Sequence, residues 1–289
     1  MAAVIPAVTK ISPRVIRILG CNPGIMTLQG TNTYIVGTGK RRILIDTGDE
    51  GVPQYLNHLR SVLNYEGIDL AHIFITHWHH DHIGGLNDIL VELKEKTRYC
   101  QIWKYPSCKD DINKNEMIEP LKDGQEFAVE GATLQVFHTP GHTDDHVVLH
   151  LVEDNVIFSG DCILGEGTAV FEDLFDYMNS LKSIANLNPT TILPGHGNVI
   201  QNPSEKISFY LAHRAERESQ IIQTLNSNRS KSFNEEDLVR IIYVNLPENL
   251  VKSAQSNVNH HLVKLLREQR VKKLDDRWQA CDFNEVKSR

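Results

Sequence analysis

The stretch His77-Trp78-His79-His80-Asp81-His82 packs five ionisable side chains into six positions. The apolar run Ile73, Phe74, Ile75 leads into it, and the helix-compatible Ile83-Gly84-Gly85-Leu86 follows. Imidazole nitrogens and carboxylate oxygens suit a borderline cation such as zinc. A chance solvated turn would account for this stretch alone, but more ligand-type residues follow. Thr139-Pro140-Gly141-His142-Thr143 adds a histidine, Ser159-Gly160-Asp161 an aspartate, and Pro194-Gly195-His196-Gly197 another histidine. Each comes just after a β-branched or aromatic run, so each can be delivered from a strand end. Together the four segments point to a metal site.

Around these segments, period-two and β-branched runs alternate with helical stretches. Strands are expected over Arg14 to Leu19, Asn32 to Val36, Arg42 to Ile45, Ile73 to Thr76 and Tyr99 to Trp103. Further ones follow over Glu126 to Val129, Thr133 to His138, His146 to Val152, Val156 to Phe158 and Thr191 to Leu193. Helices fit Pro53 to Leu63, Leu86 to Lys96, Leu174 to Asn186 and Ser204 to Leu225. The class is therefore α/β, or α+β.

Beyond Asn226 the composition changes. Residues 226–232 are polar and turn-prone and read as a linker, which divides the chain into a domain over 1–226 and a smaller one over 227–289. Ser232 or Asn234 can cap a helix carrying Leu238, Ile241 and Ile242, with a second short helix around Leu250. A third, from Val258 to Arg270, sets Val258, Leu262, Leu265 and Leu266 in one apolar stripe. Residues 271–278 then suit a two-stranded wing. Lys264, Arg267, Arg270, Lys272, Lys273 and Arg277 make nucleic-acid contact conceivable, but Asp275 and Asp276 interrupt them. A packing or substrate-gating role is the expectation, not sequence-specific DNA binding.

The chain of 289 residues is 40% hydrophobic and 23% charged, the balance of a soluble globular protein. No apolar run reaches the ~18 residues that a membrane-spanning helix needs. The five cysteines, Cys21, Cys100, Cys108, Cys162 and Cys281, are odd in number and unpaired in spacing, which argues for a reducing compartment. Net charge is −7, against general nucleic-acid affinity, yet no acidic residue precedes Asp46. An acid-poor, basic start is one mark of mitochondrial targeting, although Val15 to Leu19 already reads as a strand of the fold.

The four-part pattern resembles the metallo-β-lactamase superfamily, over the stretch from about Val15 to His196. The resemblance implies a four-layer αββα sandwich, here followed by a winged-helix-like appendage. It also implies a dinuclear site, with His77, His79 and His142 on one metal and Asp81, His82 and His196 on the other. Asp161 would bridge the two, and Asp81 and Asp161 would be the catalytic carboxylates around a zinc-bound hydroxide. His80 and Trp78 occupy variable positions. Asp46, in Asp46-Thr47-Gly48, sits where the family has an aspartate that accepts the free N–H of a ligand histidine. The aspartic-protease reading of that triplet needs two such carboxylates, and only one triplet is present. Members using iron for redox often have Glu where His79 stands, so two Zn²⁺ are expected, with Mn²⁺ or Fe²⁺ compatible.

A divalent pair acidifies bound water toward neutral pH and polarises the electrophile, so ester, thioester, amide or phosphodiester hydrolysis needs no side-chain nucleophile. No GxSxG elbow, GxxxxGK[ST] loop or helical HExxH offers another route. Within the superfamily, the segments Asn22-Pro23-Gly24, Leu28 to Tyr34, Thr139 to His146 and Gly160 to Thr168 are similar to a branch of mitochondrial endoribonucleases acting on single-stranded RNA. That resemblance implies RNA cleavage in the mitochondrial matrix, or the cytoplasm if import fails. Tyr34, Trp78, Phe171 and Tyr177 are the candidates for base stacking. A thioesterase of the glyoxalase II type, or a lactonase, would use the same ligands, though the former typically shows Cys-Gly-His-Glu in place of Pro-Gly-His-Gly. A non-catalytic RNA-binding protein is a further alternative, but such proteins tend to lose ligands.

Overall fold

A computed structural model describes residues 4–108, 117–229 and 231–281. Ser230 of the expected linker and residues 282–289 of the C-terminal domain lie outside the described residues.

Seven strands form the first sheet in chain order: β1 (Val8–Lys10), β2 (Val15–Leu19), β3 (Asn32–Val36), β4 (Arg41–Ile45), β5 (Asp69–Ile75), β6 (Gln101–Lys104) and β7 (Ile118–Pro120). Neighbours from β1 to β4 pair antiparallel, and those from β4 to β7 parallel. The second sheet contains β8 (Glu126–Val129), β9 (Ala132–His138), β10 (Val147–Leu151), β11 (Val156–Gly160) and β12 (Thr191–Pro194). Only its β11–β12 pair is parallel.

Side-chain alternation makes the layers. Tyr34, Val36, Ile43, Ile45 and Phe74 point from the first sheet into a shared core with Leu134, Val136, Val147, Leu149, Leu151 and Phe158 of the second. Their neighbours Ile35, Leu44, Ile73 and Ile75 face the other way, onto α1 (Pro53–Tyr65) and the helical turns after β5. Those turns are α2 (His80–Ile83), α3 (Leu86–Glu92) and α4 (Lys94–Thr97). Val148, Ile157 and Ile192 on the outer face of the second sheet meet α5 (Leu174–Asn186) and α6 (Pro203–Asn226). Burying each such side chain contributes about 1.5–3 kcal/mol, which locks strand register and so fixes where every strand ends. The result is the αββα sandwich. No helix among the described residues is long and apolar enough to cross a membrane.

The C-terminal unit has its own core of Leu238, Val239, Ala254, Val258, Leu262, Leu265, Val271 and Trp278, and it draws Ile221 and Leu225 from the far end of α6. It comprises α7 (Glu235–Ile242), a 3-10 turn (Glu248–Leu250), α8 (Val251–Arg267) and the antiparallel wing of β13 (Val271–Leu274) and β14 (Arg277–Ala280). Asn234 is the cap of α7: its side chain accepts from the Asp237 N–H at 2.8 Å, and Asp237 accepts from the Asn234 N–H at 3.1 Å. This reciprocal pair satisfies two otherwise unpaired donors.

Three sequence expectations are corrected. The helix expected over Leu86 to Lys96 is broken at Leu93, whose φ of −118° and ψ of 30° leave the helical region. The short helix expected around Leu250 is the 3-10 turn Glu248–Leu250, and α8 begins at Val251 rather than Val258, because 251–257 contains no Gly or Pro and Ala254 continues the buried stripe. That helix ends at Arg267, not Arg270: Gln269 adopts φ +59° and Arg270 N–H closes back on Leu265 O at 2.9 Å. The edge strands β1 and β7, three residues each, are too short to show a pattern in the sequence.

The basic residues of this unit are largely engaged within the chain. Lys264 pairs with Glu218 at 2.5 Å and Glu268 at 2.7 Å. Arg270 also pairs with Glu218, Arg277 pairs with Asp237 at 2.7 Å, and Lys273 lies over the Trp278 ring.

Candidate metal centre

The C-terminal ends of β4, β5, β11 and β12, with the β9–β10 turn, open on one side of the sandwich. Asp46 follows β4, His77 follows β5, His142 lies in the β9–β10 turn, Asp161 follows β11 and His196 follows β12. His79 caps the single-turn α2, whose Asp81 and His82 face inward. All seven expected ligands converge there.

They fall into two groups. His77 Nε2, His79 Nδ1 and His142 Nε2 stand 3.0, 3.1 and 3.3 Å apart. Asp81 Oδ2, His82 Nε2 and His196 Nε2 are separated by 3.1 to 3.3 Å. Asp161 belongs to both. Its Oδ1 lies 3.3 Å from His82 Nε2 and from His196 Nε2, and its Oδ2 lies 3.7 Å from His142 Nε2. Four ligands held tetrahedrally at about 2.0–2.1 Å from zinc would themselves be about 3.3–3.4 Å apart, close to these separations.

The outer ring nitrogens decide what the inner ones can do. The Asp46 carboxylate accepts from Thr76 N–H at 2.8 Å, from Thr76 Oγ1 at 2.9 Å and from His82 Nδ1 at 2.7 Å. With the Thr76 hydroxyl donating to Asp46, His77 Nδ1 donates to Thr76 Oγ1 at 3.0 Å. His142 Nδ1 donates to the Val170 carbonyl at 2.8 Å. His77 Nε2 and His142 Nε2 therefore both present lone pairs, 3.3 Å apart. Two lone pairs at that distance repel unless a cation lies between them, so the donor set fits a metal. His196 Nδ1 and Asp161 Oδ1 have no hydrogen-bond partner among the described residues.

Charge distinguishes the groups. Burial, then His82 and His142, keep His77 well below the ordinary imidazole range, and burial with His142 pushes His79 down to about 4. In the second group burial opposes the proton but the carboxylates prevail. Asp161, Asp46 and Asp81 hold His82 well above its ordinary value, and Asp161 and Asp81 raise His196 to about 9. Asp81 and Asp161 are correspondingly held well below the usual carboxylate range by His82 and His196, against the effect of burial.

Several supporting residues escaped the sequence reading. His146, fully buried, donates from Nδ1 to Thr139 Oγ1 at 2.9 Å and accepts the Asp161 backbone N–H at Nε2, 3.1 Å away. It thereby fixes the backbone from which the shared carboxylate springs. Gly160 is required beside it: at φ +46° a Cβ would sit 2.7 Å from His146 Nε2. Thr31 Oγ1 donates to Asp81 Oδ2 at 3.0 Å, and Asn22 accepts the Thr31 N–H at 2.8 Å. Both lie in the loop segment that the sequence had marked, but only the folded register brings them to Asp81.

The donors form the floor of a cleft of about 570 Å³. Ile25, Met26, Leu28, Trp78, Leu164, Ala169 and Val170 supply an apolar wall, Glu166 and Thr168 are its polar members, and among the described residues no Lys, Arg, Ser or Cys lines it. Of the four aromatic candidates only Trp78 does. Tyr34 and Tyr177 are core residues whose hydroxyls donate to Pro194 O and Cys162 O, and Phe171 stacks behind the wall on Tyr177. His80, largely exposed, belongs to the cleft lining but to neither donor group, and lies near Asp49 and Glu50. Cys162, next to Asp161, turns into the core behind the second sheet.

The pattern for the metallo-beta-lactamase superfamily matches residues 26–196, and that for the beta-lactamase associated winged helix domain matches residues 235–278. The chain is 53% identical over 272 residues to the beta-lactamase-like protein 2 homolog of Drosophila melanogaster, covering 92% of each. It is 46% identical over 264 residues to that of Caenorhabditis elegans, covering 90% of this chain and 87% of the other. An atrochrysone carboxyl ACP thioesterase of Claviceps purpurea is 44% identical over 245 residues, which cover 83% of this chain and 75% of the thioesterase. A beta-lactamase domain protein from Burkholderia ambifaria shares the fold at a TM-score of 0.77 and 18% identity, covering 97% and 96%. With near-complete matches at this identity, on a fold whose strand ends gather a metal-ligating His and Asp cluster, the chain belongs to the metallo-beta-lactamase superfamily, as a hydrolase with a C-terminal winged-helix domain.

Proposed function

We propose that the protein is an endoribonuclease that hydrolyses phosphodiester bonds of single-stranded RNA, using two divalent cations, zinc by preference. The observation that carries the reading is the Asp161 carboxylate, whose two oxygens face two different donor groups on the floor of an open cleft. The likeness to the endoribonuclease branch, with the near-complete match to the beta-lactamase-like protein 2 homologs, supports RNA as substrate.

His77, His79 and His142 would hold one cation, Asp81, His82 and His196 the other, and Asp161 would serve both. Bound there, the pair would supply Lewis acidity toward a phosphoryl oxygen and a water acidified toward neutral pH. The chain's own part is positional. Asp46 fixes the His82 ring, Thr31 orients Asp81, and His146 holds the backbone of Asp161. Trp78 offers a stacking face for a base. A water acidified by the cations would be the nucleophile, with no Ser or Cys among the described residues lining the cleft, and the products would carry 5′-phosphate and 3′-hydroxyl ends. The resemblance also supports residence in the mitochondrial matrix. Fractionation of cells expressing the full-length chain tests that residence.

The apolar cleft wall, free of Lys and Arg, favours one second reading: hydrolysis of an acyl thioester, the reaction in the name of the Claviceps relative. Metal-loaded protein given single-stranded RNA and a medium-chain acyl thioester in parallel separates the two. RNA cleavage with the expected ends supports the first. Intact RNA with thioester turnover transfers the site to the second.

A further inference from the structure

Residues 169–173 form a strap that grips the His142 ligand from three points. The Val170 carbonyl accepts from His142 Nδ1 at 2.8 Å. The backbone N–H groups of Glu172 and Asp173 both donate to the carbonyl of Gly141, the residue before His142, at 2.7 and 3.0 Å. Among the described residues no other ligand in either group has its ring nitrogen held by a loop carbonyl; His77 and His82 lean on Thr76 and Asp46 at the sheet ends.

The strap is in turn held from the C-terminal side. Arg267, on α8, pairs with Asp173 at 3.0 Å and Asp176 at 3.3 Å, and its guanidinium lies 4.0 Å from the centre of the Phe175 ring. His260, about two turns earlier on α8, sets its ring edge-on against Phe171, 5.3 Å between centroids. Arg214 stands at the middle of α6, between the half that packs on the second sheet and the half that enters the winged-helix core. It is buried, donates to the Ala169 carbonyl at 3.1 Å, and lies over the Phe171 ring, its guanidinium carbon 4.7 Å from the ring centre. Among the described residues no carboxylate neutralises it, so its contacts with the strap are what the guanidinium has in exchange for water.

We propose that Arg267, His260 and Arg214 are positioning residues: through the strap, the winged-helix domain sets the orientation of His142 and hence the affinity of the His77, His79 and His142 group for its cation. The inference rests on the metal reading of that group. A strap released from α8 leaves His142 Nδ1 without a fixed acceptor, and partners of this kind are worth about 10–100-fold in metal affinity.

The test is competition of zinc between a chromophoric chelator and metal-free, full-length protein, resolving two equivalents, with His142→Ala marking the equivalent that belongs to the first group. Arg267→Ala and Arg214→Met are expected to weaken that equivalent by about tenfold and leave the other unchanged. Arg277→Ala, which removes a C-terminal ion pair remote from the strap, is expected to change neither. Thermal unfolding of the metal-free variants confirms that each is folded, and Arg267, being half-exposed, keeps the test usable if Arg214→Met is not. The proposal is overturned if the marked equivalent is unchanged in Arg267→Ala, or if Arg267→Ala weakens both equivalents alike, or if Arg277→Ala weakens the marked equivalent as much as Arg267→Ala does. Wild-type protein that takes up no zinc would instead defeat the metal reading, and this inference with it.

Discussion

His82 and His261 are equally buried, at 0% and 1% exposed, and have opposite surroundings. Asp46, Asp81 and Asp161 surround His82, and they raise its proton affinity well above the ordinary imidazole value against the effect of burial. His261, on α8, forms no ion pair with a carboxylate among the described residues. Burial pushes it down to about 3, with Arg214, Lys264, Arg217 and His260 adding to the effect, and neither ring nitrogen has a hydrogen-bond partner among the described residues. A buried histidine is thus made useful by the carboxylates the fold brings to it. The same ring at the domain junction is a neutral filler carrying an unmet desolvation cost.

Removing carboxylates should break the contrast most severely. Asp161→Ala, which takes one acceptor from each donor group, is expected to lower metal content well below two per chain after dialysis; full retention by elemental analysis would contradict the shared role. Asp46→Asn keeps the volume of the side chain but cannot accept from Thr76 and His82 as a carboxylate does. A loss of about 10–100-fold in metal affinity is expected, measured by chelator competition, with all ligands still present.

At the other pole, His261→Leu should raise stability by about 1 kcal/mol, since an unpaired buried polar group is replaced by an apolar one. The pH dependence has a definite sign. The unfolded chain takes a proton at this residue near pH 6.5, and the fold refuses it until about pH 3. Wild-type stability therefore falls as pH drops through 6.5, and the leucine variant should lose less across that window in paired urea titrations. The smallest effect expected is in salt dependence. With no Lys or Arg lining the cleft, RNA cleavage should show a shallow dependence of KM on salt, whereas a slope near that of several phosphate contacts would place binding elsewhere.

The half of this contrast at the metal centre was legible in the sequence because its ligands come in short segments tied to strand ends. His77, His79, Asp81 and His82 are within six residues, and the β-branched runs before Asp161 and His196 announce where each strand delivers its load. Asp46 was legible only through resemblance. The hidden part depends on register between distant segments. His146 supports Asp161 because β10 pairs with β11, and Thr31 reaches Asp81 across 50 residues. Arg267 meets Asp173 across 94 residues. In one dimension Arg267 was indistinguishable from its basic neighbours on a solvated face, and His261 from an ordinary polar residue beside an apolar stripe. Helix lengths near Leu93 and Leu250 were misread because local propensity is nearly neutral there and tertiary packing decides.

The most direct test is cleavage of end-labelled single-stranded RNA by the purified full-length protein, with Asp161→Ala alongside. The account predicts fragments with 5′-phosphate and 3′-hydroxyl ends from the wild type and none from the variant. Equal cleavage by Asp161→Ala, or 2′,3′-cyclic phosphate ends that betray attack by the RNA's own 2′-hydroxyl, would contradict it.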